Sequence, residues 1–265
     1  CACRFRSYPI GALEIIMSIR HKSFAALAAA GTALAATFAA PAAAAETNAW
    51  QYTITPYLYM TSMSGTTTFG PFRAPTDLSF GDVLDHLSFA AMGNFNAQND
   101  KWAVNVDLMY AKLGATGPKK DLFNVDIEQG IYAGVLARRI AEHAEIYAGV
   151  RIVTLDVGIH SNFGPAIDRS RGVDWVDPII GLRVNAPVSD KVTFNFMADV
   201  GGFGIGADYD VQVWPTLQIK LGQGRWRADV GYRVNYLDYS RDSGPARFQY
   251  DMLLYGPTLG VSYTF

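Results

Sequence analysis

From Trp102 to Tyr110 the chain alternates: Trp102, Val104, Val106, Leu108 and Tyr110 fall on one side, and Asn105 and Asp107 stand among the residues between them. A period of two is the mark of a β-strand with unlike faces. The pattern returns along most of the chain. It predicts strands over Trp50–Met60, Ser88–Gln98, Trp102–Tyr110, Leu122–Arg138, Ala144–Val157, Asp174–Ala186, Val192–Val200, Tyr209–Leu221, Trp226–Asn235 and Tyr250–Phe265. In the last of these, Leu253, Tyr255, Pro257, Leu259, Val261, Tyr263 and Phe265 share a face, while Gly256, Thr258, Gly260, Ser262 and Thr264 share the other.

Short turns and longer polar connections take turns between these segments. Asn99–Lys101, Arg139–His143, Pro187–Lys191 and Gly222–Gly224 are short, and Gly114–Asp121, Gly158–Val173, Gly201–Asp208 and Ser240–Ala246 form the other set. Thr61–Leu87, rich in Gly, Thr and Pro, is expected to be a long loop. Inside it, Ser79 and Asp82 stand at the spacing of a capping box. Phe80, Val83, Leu84 and Leu87 then recur at helical spacing, so one short amphipathic helix is expected over Ser79–Leu87, its apolar stripe buried against the rim or the outer loops.

Alternation alone is shared by soluble β-sandwiches and membrane β-barrels. What comes before the first strand separates them. Met17 opens a segment with a basic start (Arg20, His21, Lys22), an Ala-rich apolar stretch (Phe24–Phe38) and a small-residue end at Ala43 and Ala45, the three parts of an export signal. The expected division is an upstream extension at 1–16, a signal peptide at 17–45 and one barrel domain at 46–265. Both cysteines, Cys1 and Cys3, precede that domain, so packing rather than disulfides must hold it. No apolar run of about 18 residues follows the signal, so lipid would have to be crossed by closed β-sheet. Trp50, Trp102, Trp226, Tyr263 and Phe265 lie at strand ends, as an aromatic girdle would. The expected fold is therefore all-β: a single closed antiparallel transmembrane barrel of about ten strands, with short periplasmic turns and longer outer loops.

The stretches Trp175–Lys191 (WVDPIIGLRVNAPVSDK) and Ala198–Asp210 (ADVGGFGIGADYD), with Tyr59–Gly65 and Ser79–Gly93, resemble a family of small outer-membrane β-barrel proteins of Gram-negative bacteria, mostly of unassigned function. The strand ending in Tyr263 and Phe265 likewise resembles the last strand of such barrels, the signal read by the barrel-assembly machinery. The resemblance implies the cell outer membrane, with membrane lipid and that machinery as partners. It carries across no catalytic residue and no oligomeric state.

Charge adds an exclusion and a question. Residues 46–265 hold 23 acids and 18 bases, leaving a net charge of −5, so nothing favours nucleic acid. The question is the inner face. Asp107, Asp126, Glu128, Arg151, Asp177, Arg183, Asp199, Asp229 and Arg233, with Lys220, fall on the faces assigned to the interior, as do Tyr132 and Arg138. Buried charges must be paired. One reading is a salt-bridged, filled lumen in a structural or surface-interaction barrel. The other is a narrow conduit for ions or small polar solutes. A rim enzyme would need converging groups. His86 and His160 sit in different outer loops and His143 in a short turn, with no metal-ligand spacing, phosphate loop or nucleophile elbow. No enzyme activity, cofactor or metal is expected.

Overall fold

A computed structural model describes residues 49–70, 72–116, 123–161, 169–241 and 247–265. The expected signal and upstream extension lie outside these. The elements are β1 (Gln51–Tyr59), β2 (Ser62–Phe69), β3 (Phe72–Leu78), α1 (Phe80–His86), β4 (Leu87–Gln98), β5 (Trp102–Thr116), β6 (Phe123–Ala141), β7 (Ala144–Ser161), β8 (Arg169–Pro187), β9 (Val192–Gly202), β10 (Tyr209–Lys220), β11 (Trp226–Arg241) and β12 (Phe248–Thr264). No helix among the described residues is long and apolar enough to cross a membrane.

Each strand from β4 to β12 pairs antiparallel with the next, and β1 pairs with both β4 and β12. Ten strands thus close on themselves, which leaves no open edge around that ring. The register is carried by matched faces. Asp107 stands opposite Ala133, Arg151 opposite Asp177, and Gly181 opposite Asp199. Residues directly opposite in an antiparallel pair share a face, so these pairs all point inward.

The segment expected as a long loop holds further strands. β12 is longer than β1 can cover: β1 pairs with Thr258–Thr264, and β2 takes over along Phe248–Tyr255. The two are one strand interrupted at Met60–Thr61, where the Met60 amide donates to the Pro257 carbonyl at 2.9 Å. A side chain at Gly256 would collide with the Met60 carbonyl. β3 then folds back on β2 as a hairpin. The Gly, Thr and Pro content that suggested a loop belongs to two short strands beyond the ring.

α1 forms as its capping box dictates. The Ser79 hydroxyl accepts from the Asp82 amide, and the Ser79 amide donates to Asp82 Oδ2 at 2.9 Å. Those hydrogen bonds, from the hydroxyl first and then the amide, hold the Asp82 carboxyl below its ordinary range. The expected burial of the stripe is corrected: no residue of α1 is buried, and Leu84 is exposed. A helix of two turns resting on a rim has too little surface facing it to cover all its apolar residues.

Candidate functional site: the barrel interior and its lipid-facing belt

The outer face carries an apolar band. Ile54 and Leu58 on β1, Val104 and Leu108 on β5, Ile146 and Val150 on β7, Ile180 and Leu182 on β8, Leu217 and Ile219 on β10, and Leu259 and Val261 on β12 are all exposed. At the short-turn end the band finishes in aromatics. Phe265 stacks on Tyr52 at 5.7 Å, Trp226 lies 4.7 Å from Tyr263, and the Arg138 guanidinium sits 4.7 Å over Trp102. At the other end the first outward charges are Lys112 and Glu128, bridged at 2.9 Å. From Trp102 to Lys112 is about ten residues, which at ~3.4 Å each and a tilt of ~40° gives ~26 Å of height. That matches the ~25 Å apolar band of transmembrane barrels. A closed sheet with this belt and girdle has one solvent that suits it. The chain is an integral outer-membrane β-barrel.

The lumen of the outer-membrane barrel is filled in layers. Nearest the short turns, Arg183 donates through Nε to Glu145 Oε2 at 2.8 Å and through Nη1 to Asn96 at 2.8 Å. Amides of Asn94 and Asn105 pair with each other at this level, and Ser262 donates to Asp229.

The middle layer holds two arginines, each almost fully buried. Arg151 is 0 % exposed and Arg233 1 %. Arg151 binds Asp199 at 2.9 Å and also Asp210. Asp199 takes two more donors, Tyr147 Oη at 2.8 Å and Gln212 Nε2 at 3.1 Å. Arg233 donates to Tyr57 Oη at 2.8 Å, to Gln212 Oε1 at 2.6 Å and to Asp107 at 2.8 Å, and lies 4.7 Å over the Trp214 ring. Tyr57 in turn donates to Asp107 at 3.0 Å. Gln212 thereby joins the two arginine clusters into one network.

Above it the inward faces turn apolar. Ile131, Val153, Leu155, Leu237, Met252, Leu254, Phe248, Tyr250, Tyr239 and Trp175 form a buried cluster. Trp175 stacks on Tyr239 at 4.3 Å, and its indole N–H donates to Asp177 at 2.9 Å.

Of the eleven charges assigned to the interior from the sequence, seven are buried there: Asp107, Arg151, Asp177, Arg183, Asp199, Asp229 and Arg233; Lys220 is exposed at the strand end. Asp126 and Glu128 are a correction, together with Tyr132 and Arg138. On β6 the register with β5 turns Ile131, Ala133 and Val135 inward and the even-numbered positions outward. Glu128 accepts from Tyr110 and from Lys112, both at 2.9 Å, on the outer face. The physical reason is the apolar upper lumen: on β6 the apolar face packs inside. Glu145, Asp210 and Gln212 were missed. Nothing in the alternation of β10 marks Gln212 as the bridge.

His86 and His143 do not converge. His86 Nδ1 lies 2.7 Å from the Asp82 carbonyl within α1, and His143 sits in a short turn at the opposite end, 3.8 Å from Glu142. The His160 side chain lies outside the described residues. Among those described, no group of His, Cys, Asp and Glu is arranged to hold a metal.

No family model matches this chain, and no curated protein matches it. Among solved structures it is similar to the attachment invasion locus protein Ail of Yersinia pestis in complex with the heparin analogue sucrose octasulfate (13% identity over 82% of this chain and 98% of that one, TM-score 0.39). It is also similar to the outer membrane protease OmpT of Escherichia coli (8% identity, 85% and 100% covered, TM-score 0.43). A third likeness is to the translocator domain of the autotransporter NalP of Neisseria meningitidis (14% identity, 92% and 98% covered, TM-score 0.35). Scores and identities this low carry no information on function.

Proposed function

We propose that this outer-membrane barrel serves a structural or surface-interaction role and does not conduct. The observation that carries this reading is the middle layer. Arg151 and Arg233 reach from β7 and β11 to carboxylates on β5, β9 and β10, and water does not reach their side chains. A lumen conducting ions needs a wet path past such groups, and a barrel of this strand number has room mainly for its own side chains. The apolar cluster above them is a second barrier, because an ion crossing it would lose its hydration with nothing in return. Membrane lipid around the belt, and the assembly machinery acting through the strand that ends in Tyr263 and Phe265, are the partners this reading calls for.

Planar-bilayer recording of the refolded protein tests it. No steps above the bare-membrane baseline are expected. Stable, reproducible channels would overturn the filled reading in favour of a narrow pore for ions or small polar solutes.

A further inference from the structure

At the short-turn end the lumen opens into a mouth whose charges are not balanced as those of the middle layer are. The register places them. Asp229 and Ser262 are buried on the inner face and hydrogen-bonded to each other. Arg227 stands opposite Ser262, and Lys220 stands opposite Arg227, so both point inward. Thr264 follows Ser262 by two residues on the same face, and its amide donates to the Arg225 carbonyl at 3.1 Å. Across the closing seam of the barrel, the Thr264 and Thr53 hydroxyls lie 3.0 Å apart. Lys220, Arg225, Arg227, Gln51 and Thr264 line one groove of about 300 Å³. Lys220 and Arg225 are exposed and Arg227 is half-buried, so all three are reached from the mouth.

This arrangement costs stability. Lys220 and Arg227 are like charges directly opposed across a ladder, which is unfavourable. Arg225 adds a third positive charge to the same groove. Among the described residues no Asp or Glu lines it. Asp229, below it, already takes the Ser262 hydroxyl. On another part of the wall Arg183 and Arg139 share the single carboxylate of Glu145. The described residues of this end of the lumen therefore set five cations against two carboxylates. The middle layer, by contrast, gives Arg151 two carboxylates and Arg233 one. That layer also closes the groove from above, so an occupant enters and leaves by the periplasmic side.

We propose that this mouth binds a small phosphate-bearing solute of the periplasm, held by Lys220, Arg225 and Arg227. A phosphate group presents three oxygens to three cations, where a carboxylate presents two. The guanidinium forks match pairs of those oxygens, and the lysine adds a point charge. The groove has the volume of a small-molecule site, which suits a solute rather than a polymer. The cations lie inside the wall whose outer side carries Trp226 and Tyr263, so a dissolved ligand is selected over a lipid headgroup. The proposal needs the closed barrel and is read by binding, separately from conductance.

Isothermal titration calorimetry of the refolded protein in detergent micelles, with inorganic pyrophosphate in metal-free buffer, tests it. Wild type is expected to show one site per barrel, tighter than for acetate by about tenfold or more. Arg225→Gln with Arg227→Gln removes like charges, so heat-modifiable migration should be kept while pyrophosphate binding weakens by about tenfold or more. Lys220→Gln, a second and milder variant, should weaken it as well. Lys191→Gln, on a neighbouring short turn outside the groove, should bind as wild type does. No binding by folded wild type, unchanged affinity in the folded groove variants, or an equal loss in Lys191→Gln would overturn the site. The same titration in nanodiscs of phosphatidylcholine and of phosphatidylglycerol separates the sources of phosphate. A site kept in both supports the solute; a site lost only in phosphatidylglycerol would assign the cations to a lipid headgroup and overturn it.

Discussion

Replacing Arg151 by methionine removes the guanidinium and keeps the length of the side chain. Two carboxylates depend on it unequally. Asp199 retains Tyr147 at 2.8 Å and Gln212 at 3.1 Å as donors. Asp210 is bound to Arg151 through Oδ1, and its other oxygen has no partner. Arg151→Met therefore leaves a fully buried carboxylate with only the Asp177 carboxyl beside it. Stranding one partner of a buried pair costs about 3–5 kcal/mol, and the upper half of that range is expected here. Arg233→Met should cost less, about 3 kcal/mol, because Asp107 keeps Tyr57 at 3.0 Å and Asn94 at 3.3 Å. Combining Arg151→Met with Asp210→Leu should recover about 2 kcal/mol, since the orphan is removed while Asp199 still lacks its cation. Urea unfolding in detergent micelles, followed by tryptophan fluorescence and checked by heat-modifiable migration, measures all three. A cost below about 1 kcal/mol for Arg151→Met would mean that water solvates the site, and the filled lumen would be refuted with it.

Gly181→Ala should cost about 1–3 kcal/mol by overpacking, because the new methyl would lie 2.5 Å from the Tyr147 ring that holds Asp199; the same unfolding assay reads it. Trp175→Ala should cost about 3–5 kcal/mol and still give no bilayer conductance, since the arginine layer below is untouched; channels from this variant would show that the apolar layer alone closes the lumen.

The ten strands of the closed ring were legible in the sequence because a two-residue period survives any tertiary arrangement. The capping box at Ser79 and Asp82 was legible for the same reason, as both partners lie within one turn. What alternation cannot supply is the sign of a face when both solvents are apolar. On β6, Ile131 and Val135 look like lipid-facing residues and Glu128 like a lumen charge. The ladder to β5 reverses this, and an apolar layer inside the barrel receives the isoleucine. Partner choice was hidden too. Arg151 finds Asp210 from 59 residues away and Arg233 finds Asp107 across the lumen, distances that only closure of the sheet makes short. β2 and β3 were not legible because their strand character comes from pairing, β2 with the part of β12 that β1 does not reach and β3 with β2. Local chemistry wrote the elements, and the closing of the ring decided which residues became interior, which met lipid and which charges met each other.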